Sequence, residues 1–353
     1  MFSCIIKLLF NSSYREGVFM TNPVSKNETG LMRIFFCIFI IISTVITFTI
    51  NEISGIPFYF VKSFEILISC GAYGFAFLIG YRLAIHDLPD TFKGYFKVFK
   101  KRVIPFLYAI VVYWLIKLLV GDAELKPIAL FRLTYSYHFY ILLVALQLLV
   151  LTMLFGKQIN KFNPCIFVGV CALVHITLDF LLSAKIYKYI FIGYILCFSV
   201  GFCTGKNYDA FKNFVLKKFK KAVFAYACFF ALTIIVFILL GFKKDPVMRS
   251  MNTIMLSVNT CLACVFTAAL SIRMCKNPTF YGKTAKLLAD SSYLVYLWHT
   301  LPVIAVHNIL LTSEDISKLE GVLYKLVSAL SVAITVIIVV YINKKRREKD
   351  GTV

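Results

Sequence analysis

The chain has 353 residues, of which 60% are hydrophobic and 16% charged, with a formal net charge of +21. Soluble domains carry roughly 25% charged residues, so this composition, with a mean hydropathy of +0.83, excludes a water-soluble globular protein. Lys and Arg are scattered over short segments rather than gathered in one domain, which argues against nucleic acid as a partner.

The N-terminal tail, residues 1–30, holds one short apolar piece at 4–10. A membrane-crossing helix needs about 20 mostly apolar residues, and no small-residue cleavage site follows the piece. It reads as cytoplasmic tail, with Met20 as an alternative start. The first predicted span, 31–50, carries Arg33 near its beginning and Ser43 and Thr44 further along. The second, 63–84, has Glu65 early and Arg82 late. Lys101 and Arg102 lead into the third, 103–120, which carries Lys117 near its end. His138 opens the fourth, 138–155.

His175 and Asp179 lie four residues apart on the fifth span, 164–182. That spacing puts them on one face, either as a proton-handling couple or as an interhelical contact. The sixth and seventh spans are 189–203 and 222–241, and the eighth, 253–272, contains Cys261 and Cys264. A lone CxxC inside an apolar helix reads as buried thiols, and no metal site is expected. The ninth span, 287–311, is the most polar, with Asp290, Ser291, Ser292, Tyr293, Tyr296, His299 and His307. Positions 292, 296 and 299 follow helical i, i+4, i+7 spacing and project to one side. Such a stripe lines something or packs against a polar neighbour. The tenth span, 321–342, ends before Lys344, Lys345, Arg346 and Arg347.

These runs predict an all-α polytopic membrane protein of about ten transmembrane helices, nine being the alternative because 189–203 is short. The tail, segments 82–102, 156–163, 204–221 and 273–286, and the C-terminal end hold most of the Lys and Arg. By the positive-inside rule both termini are therefore cytoplasmic. One membrane domain, 31–345, is expected between the tail 1–30 and a basic tail 346–353. Ionisable groups at membrane depth are the natural functional candidates, since each costs ~3 kcal/mol or more at the bilayer centre.

Residues 290–299, DSSYLVYLWH, resemble the "nSyglYLiH" signature near the C-terminus of the acyltransferase 3 family. Met32-Arg33-Ile34 resembles the family's opening Arg motif, and residues 75–82, FAFLIGYR, resemble "lFFflSGyl". Residues 99–105, FKKRVIP, resemble "kRi.RilPy", and residues 137–141, YHFYI, resemble "yHlWfl". The resemblance covers 31–345, and order and spacing carry it. Two positions depart from the pattern. Ile79 stands where a small Ser precedes the glycine, followed by an unusual Arg82. Thr44 stands where the family has His, eleven residues after Arg33. Eleven helical residues make three turns and about 20°, so the two positions share a face about 16 Å apart.

The resemblance implies a multi-pass O-acyltransferase of the bacterial inner membrane. It would move an acyl group, commonly acetyl, from acyl-CoA to a hydroxyl of a lipid-linked or cell-surface glycan. Acetyl-CoA or another acyl-CoA is then the donor substrate, with membrane lipid and glycan as partners and no bound cofactor. The chemistry needs a base for the hydroxyl proton, donors for the oxyanion and cations for the CoA phosphates. By resemblance Arg33 is the candidate for binding the acyl donor. Arg82, Lys101 and Arg102 are candidates for its phosphates, or are positive-inside anchors. Because Thr44 cannot replace an imidazole as base, His138 is the first candidate for that role and His299 the second, with Ser291, Tyr293 and Tyr296 as polar lining. A polysaccharide exporter, or a family member with diverged chemistry, is the alternative reading. A polymerase or flippase is disfavoured by the short outer segment 121–137.

Overall fold

A computed structural model describes residues 23–49, 56–85, 89, 91–119, 139–181, 190–240, 246–277, 281–301 and 318–349. These form helices α1 Pro23–Thr49, α2 Ile56–Ile68, α3 Cys70–Ala84, α4 Phe92–Leu119, α5 Phe139–Ile159 and α6 Pro164–Leu181. A short 3-10 turn, Phe191–Tyr194, then leads into α7 Ile195–Lys206. The remaining helices are α8 Tyr208–Leu240, α9 Pro246–Cys275, α10 Lys283–Trp298 and α11 Lys318–Lys349. No strand occurs among the described residues.

Local chemistry accounts for several helix starts. Proline is the first residue of α1, α6 and α9, a position whose amide has no intrahelical partner anyway. Asn163 caps α6, its Oδ1 accepting from the amides of Cys165 at 2.9 Å and Ile166 at 3.4 Å. Several helices extend beyond the predicted apolar runs, two of them with consequences for what is buried or joined. Helix α1 begins eight residues before the apolar run at 31, so Glu28 and Thr29 are buried helical residues. The basic segment 204–221 is largely helical and continues into the seventh apolar run as α8, interrupted only by non-helical dihedrals at Lys218.

By length and composition, five of the described helical segments can cross a membrane: 26–44, 58–84, 139–159, 208–240 and 251–275. Helix α8 turns Phe224, Leu232, Ile235, Ile238 and Leu239 outward, and α11 exposes Ile334, Ile337, Ile338 and Ile342. Helices of this kind satisfy their own backbone groups in lipid, and outward apolar side chains in such number suit a lipid surround. The described residues form an all-helical fold, and the chain is a multi-pass membrane protein.

Close contacts fix how the helices run. Glycines of α3 meet α1 in reverse order: a Cβ on Gly71 would lie 2.8 Å from the Ile40 amide nitrogen, and one on Gly74 would strike the Phe36 ring. Helices α1 and α3 are therefore antiparallel. Helices α3 and α7 are parallel and in backbone contact. A Cβ on Gly201 would collide with the Phe77 carbonyl, and one on Gly205 would sit 2.7 Å from the Tyr81 carbonyl. Both pairs advance by four residues together, with Gly80 closing on Phe198 from the other side. This is the small-xxx-small packing by which membrane helices gain van der Waals contact.

Helix α10 runs parallel to α1 in constant register. Cys37 meets Ser292 and Thr44 meets His299, both pairs 255 residues apart in sequence. Helix α4 joins them in the same direction, with Arg102 against Tyr293 and Tyr113 against Thr300. Three helices thus converge around the polar stripe of α10, and α3 runs opposite to α1.

Candidate functional site

The polar stripe of α10 is buried in the seam with α1 and α4. Ser291 is fully buried and accepts from Asn343 Nδ2 of α11 at 2.8 Å. Ser292 donates to the Ala289 carbonyl at 2.8 Å, while its own carbonyl accepts from Cys37 Sγ at 3.4 Å. Tyr296 packs edge-on against Phe75 of α3, with ring centroids 5.6 Å apart. Next to the stripe, the Tyr113 hydroxyl of α4 donates to the Leu297 carbonyl at 3.1 Å and lies 2.6 Å from Thr300 Oγ1.

His299, at the end of this stripe, is 0% exposed. Its Nδ1 lies 2.8 Å from the Tyr296 carbonyl oxygen. A carbonyl can only accept, so Nδ1 carries the ring proton and Nε2 presents its lone pair. That lone pair faces Thr44 Oγ1 of α1 at 3.2 Å. The Thr44 hydroxyl has one proton and a second acceptor, the Ile40 carbonyl at 2.9 Å. Rotation about the C–O bond decides which acceptor it serves. Thr44 itself is partly exposed. The position where the family pattern has a histidine is thus filled by a hydroxyl on an imidazole supplied from α10.

A second cluster lies nearer the start of α1. Arg33 of α1 and Arg82 of α3 both come close enough to Arg102 of α4 to repel its charge. Burial, with repulsion from Arg82 and Arg33, lowers the Arg102 guanidinium to about 10, and Tyr293 acts the other way. Arg102, one residue before the third apolar run, lies over the Tyr293 ring at 5.1 Å from its centroid. A cation on an aromatic face gains about 0.5–2 kcal/mol. The Tyr293 hydroxyl donates to the Arg102 carbonyl, and Arg33 Nε donates to the Thr29 carbonyl at 3.3 Å. Lys101 points elsewhere and is exposed. Of the four basic residues predicted for the donor site, three converge.

His138 and His307 lie outside the described residues, as does the side chain of Lys117. His175 meets Ser257 Oγ of α9 at 3.2 Å, a contact between helices. Cys261 lies 3.3 Å from Cys197 Sγ, and Cys264 Sγ is 3.8 Å from the Cys70 carbonyl oxygen. These thiols sit in the apolar core, and among the described residues no group of three or more His, Cys, Asp or Glu is placed to hold a metal ion.

One buried group was missed from sequence. Glu28, 1% exposed, accepts from the Tyr208 hydroxyl at 3.0 and 2.8 Å and pairs with Lys212 at 3.4 Å. Lys212 also donates to Tyr208 at 2.9 Å. The triad ties α1 to α8. Pro23, a helix-start signal, was the cue that Glu28 is helical.

Neither the curated proteins nor the solved structures contain a match to this chain. The model of the acyltransferase 3 family, described as an acyltransferase domain, matches residues 28–343. It spans α1, where Arg33 and Thr44 lie, through most of α11, and takes in both clusters. The chain belongs to the acyltransferase 3 family of membrane acyltransferases.

Proposed function

We propose that this protein is an O-acyltransferase of a bacterial inner membrane. It has ten spans and both termini in the cytoplasm, and moves an acyl group, commonly acetyl, from acyl-CoA to a sugar hydroxyl of a cell-surface or exported polysaccharide. The observation that carries this reading is the Thr44–His299 contact. The seam holds an imidazole against the position that the family pattern reserves for one. The chemistry absent from α1 is supplied from α10.

His299 has the state a base requires. Its Nδ1 proton is committed to the Tyr296 carbonyl, so Nε2 presents its lone pair to an oxygen placed where Thr44 is. General bases of this kind contribute about 10²–10⁴-fold to rate. Arg33, Arg82 and Arg102 supply charge-assisted donors for the phosphates of CoA. Arg33 and Thr44 share a face of α1 about 16 Å apart, and CoA likewise separates its phosphates from its thioester by a long pantetheine arm. Cations at one end of the seam and the base at the other match that layout. His138, the first candidate from sequence, lies outside the described residues and stands as the alternative base.

The experiment is mass spectrometry of surface glycans from cells carrying the wild type, no copy, His299→Asn or His138→Ala. Loss of the ester with polymer still exported is expected without the gene and in His299→Asn, the latter at wild-type protein level in the membrane. Polymer retained inside with its esters intact would replace the transferase reading with export. Esters lost only in His138→Ala would move the base to His138.

A further inference from the structure

We propose that Thr44 carries the acyl group covalently between donor and acceptor, so that transfer proceeds in two steps through a threonine ester. The inference rests on the transferase reading above and concerns how the same site works.

Exposure is the first argument. His299 is fully buried, enclosed by its own helix and by α1. A base in that position has Nε2 turned to Thr44, so a sugar or thioester meets it only on the side of that hydroxyl. Thr44 is partly exposed and lies against Nε2 at 3.2 Å. The hydroxyl is thus the reactive atom that the imidazole can serve and a substrate can reach. Geometry is the second argument. An activated nucleophile is recognised by a hydroxyl within hydrogen-bond reach of a base, with the base oriented by a third group. Here the three are Thr44 Oγ1, His299 and the Tyr296 carbonyl at 2.8 Å from Nδ1. The constant register of α1 and α10, set also by Cys37 against Ser292, holds hydroxyl and imidazole on two packed backbones rather than on loops.

In the first step the Thr44 proton passes to Nε2 and Oγ1 attacks the thioester carbonyl. The O–C bond forms, the C–S bond breaks, and the departing sulfur takes the proton from the imidazolium to leave as CoA thiol. In the second step the acceptor hydroxyl gives its proton to Nε2 and attacks the threonine ester. The new ester forms as the Thr44 O–C bond breaks, and Thr44 recovers the proton. Nothing is oxidised or reduced. The Ile40 carbonyl, 2.9 Å from Oγ1, holds the Thr44 proton when Nε2 does not, which keeps the resting hydroxyl out of reaction.

The test uses the full-length protein in liposomes with acetyl-CoA and no acceptor. A covalent intermediate makes the first step reversible, so isotope-labelled CoA exchanges into acetyl-CoA. Peptide mass spectrometry should then find acetate on Thr44. Wild type and Thr44→Ser should exchange. Thr44→Val, equal in shape, should lose exchange and adduct by 10²-fold or more while retaining its monodisperse size-exclusion profile, and His299→Asn should behave alike. Glycan acetylation by wild type with neither exchange nor adduct would overturn the proposal and leave the transferase reading standing. So would wild-type rates of acetylation by Thr44→Val. An enzyme that neither exchanges nor acetylates glycan would overturn both.

Discussion

Two seams of this protein are built from parallel helices and differ in what fills them. Between α3 and α7 the filling is absence: Gly80, Gly201 and Gly205 bring the two backbones into contact. Between α1 and α10 the filling is chemistry, with Cys37, Thr44, Ser292 and His299 meeting in register. In lipid, dispersion from close backbones is a cheap route to association, whereas buried polar groups are costly unless partnered. A membrane protein that needed only to hold together would repeat the first seam. On the proposed reading, the second accepts that cost because the groups in it act.

The sharpest way to break the comparison is at the glycine seam. Gly201→Leu places a side chain where the Phe77 carbonyl already lies, and backbone has no rotamer with which to move aside. The helix pair must separate. Folded protein in the membrane, followed by a fluorescent fusion and detergent size exclusion, should fall to near background, with activity falling in proportion. His299→Asn should show the reverse pattern, activity lost and protein level kept. If both variants lose protein alike, the two seams are equally structural and the distinction fails.

Next in size is the arginine cluster. Arg102→Ala removes the cation stacked on Tyr293 and one of three guanidinium groups near the start of the α1–α10 seam. A lost phosphate contact of about 1.4 kcal/mol raises the Michaelis constant for acyl-CoA about tenfold. If the donor is held by charge, that constant should also rise with ionic strength, more steeply in wild type than in the variant. An unchanged constant at low salt would reduce Arg102 to a topological anchor.

The sequence made the helices legible because apolar runs of about twenty residues have few other physical meanings. The basic cluster was legible for a related reason: Arg33, Arg82 and Arg102 all sit at run edges, where a cation must be explained. The partnership of Thr44 with His299 was not. Periodicity relates residues on one helix, and nothing in it joins positions 255 apart on two. His299 stood out within its stripe, and Thr44 stood out as a departure from the family pattern. Only the helix register showed that the two observations are one. Glu28 escaped for a different reason, since an acidic residue ahead of an apolar run reads as tail until the helix is seen to begin at Pro23.

Glu28 therefore offers a smaller test, one of stability rather than chemistry. Its carboxylate accepts both Tyr208 contacts and faces Lys212, and hydrogen bonds to a charged group are worth about 1.5–3 kcal/mol. Lys212 is partly exposed, so on losing its partner it can turn to water and recover part of that. Glu28→Gln should lower the melting temperature in detergent by a few degrees and leave the Michaelis constant for acyl-CoA unchanged. A raised constant instead would join the triad to the donor site.

The smallest expected effect belongs to Lys101, and it bears on Arg102 because the two are neighbours of like charge. Adjacent helical residues diverge by about 100°, so α4 aims only one of them at Tyr293 and leaves the other exposed. If the basic segment ahead of the third span acted only as diffuse positive charge, Lys101→Ala and Arg102→Ala would be interchangeable. If the donor is held by directed guanidinium groups, Lys101→Ala should change the Michaelis constant less than twofold, against about tenfold for its neighbour. Equal effects would mean that the phosphates, if they bind here, feel a field rather than a site. Unequal effects would show that about 100° of rotation around α4 separates an anchor from a ligand contact.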